Sequence, residues 1–142
     1  MKNFELDLST DKIQKVYTLK NHHRSIHSLL NASFPKEPRD VFYRFTGSYK
    51  EGYPSWIQVD KGQIKGMCFI IPSSKGGSLE CVAVHPDLQG NGAGKALVER
   101  VLADYAGLIT LTTRIPLFYE KVGFKTFCEL EDGSKAMFKV CN

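Results

Sequence analysis

The most informative stretch of the sequence for the fold is Val82-Ala-Val-His-Pro-Asp-Leu-Gln-Gly-Asn-Gly-Ala-Gly-Lys95. An apolar strand pattern enters a loop with glycines at alternate positions, Gly90, Gly92 and Gly94, and a helical pattern follows at once. Glycine lets the backbone adopt positive φ and approach a ligand closely. The first amides of a helix have no partner within it and carry partial positive charge. The stretch therefore predicts a site for an anion such as a pyrophosphate.

Two other classes of phosphate-binding loop do not fit this stretch. A Walker A loop needs a hydroxyl residue directly after its lysine to hold Mg²⁺, whereas Ala96 follows Lys95 here. The dinucleotide fingerprint has G-x-G-x-x-G and an acidic residue at the end of the next strand, where this chain has Thr112-Thr113. A flexible turn without a ligand is the remaining alternative, and the loop alone does not decide between the two.

Outward from the loop, the patterns predict a single mixed α/β domain over residues 1–142. Before the loop we expect a helix over Asp11–Leu30, a second near Arg39–Phe45, a hairpin of Trp56–Val59 and Ile64–Ile71 around Asp60-Lys61-Gly62, a loop over Pro72–Ser78, and a strand over Leu79–Val84. After it we expect a helix over Lys95–Tyr105, a strand over Leu108–Thr112, a short helix from Pro116 to a cap at Gly123 with Phe124 packing on Phe118, and strands over Lys125–Leu130 and Lys135–Val140.

Composition sets limits on the class of protein. The net charge of +4 comes from scattered basic residues without a run of like charges, so a nucleic-acid partner is not indicated. Four cysteines lie outside any C-x-x-C pair, which favours free thiols in a reducing compartment. No secretory signal and no apolar run of about 18 residues is visible, so we expect a soluble, cytoplasmic protein without a membrane contact. His23 and His27 are spaced i, i+4, but no third ligand is evident, and no metal is predicted.

Two segments together resemble the GCN5-related N-acetyltransferase (GNAT) superfamily. Gln89-Gly-Asn-Gly-Ala-Gly94 resembles the Arg/Gln-x-x-Gly-x-Gly/Ala motif of that family, and Leu117-Phe-Tyr-Glu-Lys-Val-Gly-Phe124 resembles its Phe-Tyr-Glu-x-x-Gly-Phe segment. The resemblance covers about Leu79 to Phe124. It implies the acyl-CoA N-acyltransferase fold, in which one mixed, mostly antiparallel sheet is splayed between its fourth and fifth strands and has helices on both faces.

The resemblance also implies a function and a set of contacts. The chain is expected to be an N-acetyltransferase that moves an acetyl or similar acyl group from acetyl-CoA to a primary amine by direct transfer, with a small molecule or a protein as acceptor. The backbone of the last strand residues is expected to bond the pantetheine arm, and the loop amides to hold the pyrophosphate. The expected cofactor-binding residues are Val82, Val84, Gln89, Gly90, Asn91, Gly92, Ala93, Gly94, Lys95, Thr112 and Phe118. Thr112-Thr-Arg-Ile115 departs from the Asn-x-x-Ala of many members, so the resemblance supports a CoA contact from Thr112 or Thr113 less strongly than the other contacts.

The chemistry needs a base and an acid, since an ammonium with a pKa near 10.4 is only about one-thousandth free amine at neutral pH. In this family context Tyr119 is the predicted acid for the leaving thiolate, although a purely packing tyrosine is the alternative. Glu80 is the predicted base, because strand alternation places it on the face of Val82 and Val84. A solvated carboxylate, with ordered water as the base, is the alternative. Alternation points Cys81 to the opposite face, so a covalent acyl-cysteine is not favoured.

Two non-catalytic functions remain as alternatives to an enzyme. One is an acyl-CoA-binding sensor on the same fold, which would not need Tyr119 and Glu80. The other is an interaction module that has lost the cofactor, which would not need the loop glycines. By resemblance, the acceptor wall comes from the N-terminal helices and the Phe45–Pro54 loop. Tyr43, Tyr49, Tyr53 and Trp56 are candidates for it, and core packing explains these aromatic residues equally well. A homodimer is compatible with an exposed edge among the last strands.

Overall fold

The computed structural model describes residues 6–19, 21–33 and 52–141. Within these residues the elements follow one another as β1 (Ile13–Val16), α1 (His23–Ser33), β2 (Ser55–Asp60), β3 (Gln63–Ser73), β4 (Gly76–Val84), α2 (Ala93–Asp104), β5 (Gly107–Thr113), α3 (Pro116–Glu120), β6 (Lys125–Glu129) and β7 (Lys135–Cys141). A short 3₁₀ turn, Pro86–Leu88, leads from β4 towards α2.

All seven described strands form one sheet in the order β1-β2-β3-β4-β5-β7-β6. Every neighbouring pair is antiparallel except β4 and β5, which run parallel. The parallel pairing joins only Gly76–Ser78 to Leu108–Thr110. Beyond it β4 continues along β3 and β5 continues along β7, so the two strands separate. This confirms the predicted mixed, mostly antiparallel sheet that is splayed between strands 4 and 5.

Two glycines at the start of β4 permit close contacts at the parallel junction. At Gly76, φ is +148°, and a Cβ atom would lie 1.9 Å from the carbonyl oxygen of Leu108. At Gly77, a Cβ atom would lie 2.5 Å from Cγ2 of Ile70 and 2.7 Å from Oη of Tyr105. Since real Cβ contacts are essentially never this short, the glycine at 76 lets β5 come close before the strands diverge, and the glycine at 77 leaves room for Ile70 of β3 and for Tyr105, which follows α2.

Helices cover both faces of the sheet. On one side, which we call the α1 face, Ile26, Leu29 and Leu30 of α1 are almost fully buried in a core built on β2 and β3. On the other, the α2 face, Leu97, Val98 and Val101 belong to a core that also draws on β3, β4, β5 and β7. Each such side chain contributes about 1.5–3 kcal/mol through burial. These cores fix both helices relative to the gap between β4 and β5.

Polar contacts tie the end of α2 to the first strands. Asp104 accepts a hydrogen bond from Nε1 of the buried Trp56 at 2.9 Å and pairs with Nε of Arg100 at 2.7 Å. Arg100 also donates to the carbonyl oxygen of Ile13 at 2.9 Å. Trp56 is therefore a core residue of the α2 face, and its predicted place in the acceptor wall is wrong.

The predicted helix over Asp11–Leu30 is wrong in its first half. Ile13–Val16 forms β1, which pairs with Ser55–Gln58, and the helix begins only at His23. Gln14 and Val16 are buried while their neighbours are more exposed, so the segment has the two-residue period of an edge strand. Pairing with β2 therefore overrides the helical spacing. The predicted helix near Arg39–Phe45 lies outside the described residues.

Other predicted elements are confirmed with shifted ends. The Asp60–Gln63 turn has φ of +52° at Lys61 and +75° at Gly62, as a tight hairpin requires. The loop expected over Pro72–Ser78 is instead mostly strand, since Ser73 already pairs with Gly76.

The predicted cap of the short helix α3 is confirmed. Phe124 N–H donates to Tyr119 C=O and Gly123 N–H donates to Glu120 C=O, the two bonds of a Schellman cap. The centroid of the Phe124 ring lies 5.8 Å from that of Tyr119, so Phe124 packs on Tyr119, the residue next to the predicted partner Phe118.

Candidate functional site

A cavity of about 460 Å³ opens beside β4 where that strand leaves β5. Its walls come from α1, the end of β4, the glycine loop, the first turn of α2, and α3. The lining residues are Ser33, Val82, Ala83, Val84, Gln89, Gly90, Gly92, Ala93, Gly94, Lys95, Ile115, Phe118 and Tyr119. Because α1 and α2 lie on opposite faces of the sheet, the cavity is bordered from both faces.

The glycine loop presents the uncapped start of α2 to this cavity. Gly90 and Gly92 have φ of +85° and +80°, and a Cβ atom at either would meet nothing within 4 Å. Gly92 is the N-cap residue and no side chain caps the helix. The first backbone bond of the helix runs from Ala96 N–H to Gly92 C=O, so the amides of residues 93–95 precede the helical ladder. Three donors and the positive end of the helix dipole therefore border the cavity, which suits an anion.

The first turn of α2 packs directly on α3. A Cβ atom at Gly94 would lie 3.3 Å from Cζ of Phe118 and 3.6 Å from Cγ2 of Val84. The Phe118 ring meets that of Tyr119 edge to face, with centroids 4.9 Å apart. The absence of a side chain at Gly94 thus leaves room for Phe118 beside the strand and the helix start.

The end of β4 turns its backbone towards the cavity. His85 N–H donates to Lys65 C=O at 2.7 Å, so the ladder bonds to β3 run through His85 and not through Val84, which lies opposite Gly66. In an antiparallel pair, the N–H and C=O of Val84 then point away from β3. Val84 C=O accepts hydrogen bonds from Nε2 of Gln89 at 2.9 Å and from Oγ of Ser33 at 3.2 Å.

A β-bulge in the middle of β4 changes which side chains share a face. Phe69 lies opposite Glu80 and Met67 opposite Ala83, so β4 has one residue more than β3 over this interval. Cys81 carries the distortion with φ of +61°. After the bulge, Val82 packs against the α2-face core, as Leu79 does before it.

The predicted face of Glu80 is therefore wrong. Glu80 lies opposite Phe69, a residue of the α1-face core, whereas Val82 lies on the α2 face. Strict alternation fails because the bulge adds a residue between the two. Cys81 packs with Ala83 on the α1 face, as expected, but not with Leu79. The half-buried Glu80 carboxylate accepts a hydrogen bond from Oγ of Ser78 and does not line the cavity.

Tyr119 is held at the cavity as a neutral phenol. Its side chain is only 7% exposed, and burial raises its pKa well above the ordinary value, with the nearby buried Cys68 adding to the effect. No hydrogen bond to its Oη is formed by the described residues. A buried phenol at a cavity wall is a proton donor that stays protonated at neutral pH.

Ten of the thirteen predicted site residues line this one cavity, and three do not. The exceptions are Glu80, Asn91, which is exposed between the two positive-φ glycines, and Thr112, which is exposed on β5 opposite Ala136. Sequence reasoning missed Ser33, Ala83 and Ile115 as lining residues. No local signal marks Ser33, because its contact with Val84 joins parts of the chain 51 residues apart.

Other expectations concern cysteines, metals and the acceptor wall. Cys68 and Cys141 are buried, Cys81 is half-buried and Cys128 is exposed, and none forms a disulfide. Over residues 6–19, 21–33 and 52–141, no three His, Cys, Asp or Glu side chains come together as metal ligands. In the same ranges no helix has the length and apolar character to span a membrane. Tyr43 and Tyr49 lie outside the described residues, and Tyr53 is half-buried.

Comparisons with known proteins agree with this geometry. A family model described as "Acetyltransferase (GNAT) domain" matches residues 51–126, more than half of the chain. The amino-acid acetyltransferase of Enterobacter sp. (strain 638) is 40% identical over 58 residues, a match that covers 37% of this chain and only 13% of that protein's length.

Two solved structures illustrate the shared fold. The ribosomal-protein-S18-alanine N-acetyltransferase from Escherichia coli has a TM-score of 0.76 at 17% identity, over 92% of this chain and 94% of that one. A GNAT family acetyltransferase from Brucella melitensis, in complex with acetyl-CoA, has a TM-score of 0.70 at 17% identity, over 89% and 88%. At such identities the likeness concerns the fold alone.

Proposed function

The chain belongs to the GNAT acetyltransferase domain family, and on that premise we propose that it transfers an acetyl group from acetyl-CoA to a primary amine. The transfer is direct, within a ternary complex of enzyme, acetyl-CoA and amine. The observation that carries the proposal is the cavity between the separating strands. It brings the uncapped start of α2, the open edge of β4 and the phenol of Tyr119 together.

The cofactor lies along the second half of β4 in this proposal. The amides of Ala93, Gly94 and Lys95 hold the pyrophosphate, and the cationic side chain of Lys95 adds to the attraction. The pantetheine arm runs back along Val82–Val84 as an added strand, because the backbone of Val84 points into the cavity. This direction leads the thioester away from the helix start and towards Tyr119. The acetyl-CoA complex of the Brucella relative supports this choice of cofactor.

Tyr119 supplies a proton to the leaving group. The amine nitrogen attacks the thioester carbonyl carbon, a C–N bond forms, and the C–S bond breaks. The sulfur takes the proton of Tyr119 Oη and leaves as the CoA thiol, and the tyrosinate regains a proton from water. The acceptor nitrogen loses two protons, one when the ammonium is neutralised before attack and one after the C–N bond forms. Both pass through the base to water, and one of the two is balanced by the proton that restores the tyrosine. A positioned acid of this kind typically contributes about 10²–10⁴-fold in rate.

Glu80 acts as the base from the α1 face, directly or through one water. The acceptor arrives as an ammonium ion, and freeing its lone pair at neutral pH costs about 4 kcal/mol. Glu80 lies on the α1 face of β4, opposite Phe69 and beyond the last residue of β4 that pairs with β5. A carboxylate there both attracts the cation and accepts its proton.

The acceptor is a small-molecule or protein amine. The relatives described above span this range, from an amino-acid acetyltransferase to a ribosomal-protein-S18-alanine N-acetyltransferase.

Calorimetric titration with acetyl-CoA, CoA and ATP tests the proposal, followed by an amine panel with detection of released thiol. We expect micromolar binding of acetyl-CoA and CoA, no comparable binding of ATP, and thiol release with at least one amine. Binding without turnover on any amine would favour an acyl-CoA sensor. No binding at millimolar acetyl-CoA would overturn the proposed function.

A further inference from the structure

We propose that Ser33, the last residue of α1, is a positioning residue for the cofactor and fixes the β4 edge that receives the pantetheine arm. The inference rests on the proposed function, since it concerns the same cavity. It adds a residue from the opposite face of the sheet, outside both sequence segments that resemble the family.

The contact itself is a hydroxyl-to-carbonyl hydrogen bond. Oγ of Ser33 donates to the carbonyl oxygen of Val84 at 3.2 Å, and Ser33 is half-buried and lines the cavity. A second helix at the cavity, α2, approaches from the opposite face. One side chain of α1 therefore reaches the strand that carries the cofactor.

The bond completes the hydrogen-bonding capacity of that carbonyl. A backbone carbonyl oxygen has two lone pairs, and the second is used by Nε2 of Gln89 at 2.9 Å. Gln89 belongs to the glycine loop, so Val84 is held from the loop on one side and from α1 on the other. With its C=O occupied, Val84 offers its N–H to an incoming strand. The edge is thereby set to receive a ligand carbonyl at this position.

The position of Ser33 is fixed because the helix that carries it is well packed. Ile26 and Leu30 are fully buried and Leu29 is 1% exposed, all against the α1-face core. Leu30 lies one turn before Ser33, so the hydroxyl cannot follow a moving carbonyl without moving the core. Without the hydroxyl, the peptide group that joins Val84 to His85 is held only by Gln89 and by the bond from His85 N–H to Lys65 C=O. The torsion angles at Val84 are then less constrained, and its N–H, which lies in the preceding peptide group, is presented less accurately to the cofactor. We expect about three- to tenfold weaker cofactor binding, the usual effect of one neutral hydrogen bond.

The test compares Ser33→Ala with Ser28→Ala, an exposed serine of the same helix that does not line this cavity. Ser33→Thr retains the hydroxyl and serves as the rescue variant. Each protein is measured for CoA affinity by calorimetry, for KM and kcat with acetyl-CoA, and for Tm. For Ser33→Ala we expect Kd and KM to rise about three- to tenfold, with kcat at saturation within about twofold. Tm should stay within about 2 °C, Ser28→Ala should match the parent, and Ser33→Thr should restore most of the affinity.

A positioning role predicts that KM rises while kcat is nearly unchanged, and that threonine restores the affinity. A merely structural role predicts neither result. Parent-like affinity in Ser33→Ala overturns the inference, as does a loss that Ser28→Ala shares or that Ser33→Thr fails to restore. If the parent binds acetyl-CoA and Ser33→Ala binds equally well, only this inference fails. If the parent binds neither acetyl-CoA nor CoA, the proposed function fails and the role of Ser33 fails with it.

Discussion

Replacing Gly76 with alanine is expected to break the junction at which β4 and β5 meet before they separate. At φ of +148°, an alanine takes a backbone conformation that L-residues rarely adopt, which costs about 1–3 kcal/mol. Its Cβ would also lie 1.9 Å from Leu108 C=O, a backbone atom that cannot rotate away. Relief requires a shift of β5, and such overpacking costs about 1–3 kcal/mol more. The sum, roughly 2–6 kcal/mol, is a large part of the 5–15 kcal/mol that stabilises an ordinary domain.

Gly107→Ala is the matched control for this substitution. Gly107 begins β5, has φ of +114°, and a Cβ atom there would meet nothing within 4 Å. It therefore carries the backbone strain without the clash. Urea unfolding followed by fluorescence of the single, buried Trp56 gives both free energies. We expect Gly76→Ala to lose at least about 1 kcal/mol more than Gly107→Ala. Equal losses would show that the close approach of the two strands does not depend on the missing side chain.

The other predictions concern the cavity. Tyr119→Phe should lower kcat about 10²–10⁴-fold with unchanged CoA affinity, and a rate within about twofold of the parent, with chemistry limiting, contradicts the acid role. Because burial raises the pKa of Tyr119 above its ordinary value of 10.0, folding should weaken as the pH rises above about 10. Urea midpoints from pH 8 to 11 should fall less steeply in Tyr119→Phe, and identical slopes would argue against burial of the phenol. Glu80→Gln should lower kcat about 10²-fold at pH 7, with a smaller deficit at higher pH, where more amine is free; a pH-independent deficit does not fit a base. Gly94→Ala gains up to about 1 kcal/mol of helix propensity, which the tight contact with Phe118 offsets, so the free energy of unfolding should change by no more than about 1 kcal/mol. Its Cβ would press on Phe118 at 3.3 Å, so calorimetry should show weaker CoA binding, and unchanged affinity would place the cofactor elsewhere.

Local signals predicted most of the cavity, since the glycine loop and the start of α2 are contiguous in sequence. The cap at Gly123 was predictable for the same reason, as its two hydrogen bonds lie within a six-residue segment. Where the outcome depended on partners far along the chain, sequence reasoning failed. β1 exists because β2 pairs with it, and nothing within Ile13–Val16 reveals that partner.

The misplaced face of Glu80 has a related cause. Counting alternate residues along β4 assumes an unbroken pleat, and the bulge at Cys81 breaks it. A non-glycine residue at positive φ carries no warning in the sequence, because its neighbours hold it there. Ser33 was missed because a serine at a helix end is common, and its role depends on where α1 packs.

The sheet has two halves, β1–β4 and β5–β7, which meet only at the short parallel junction. That junction consists of three residue pairs. The helix α2 packs across both halves, since its core includes Ile70 from the first half and Met137 from the second. The same helix offers its first turn to the proposed cofactor. Cofactor binding at this turn should therefore hold α2 more firmly against both halves. By mass action it should stabilise the folded chain by about 2.7 kcal/mol when the free cofactor concentration is a hundred times Kd. The two halves of the sheet should then be joined more firmly when the proposed cofactor is bound than when it is absent.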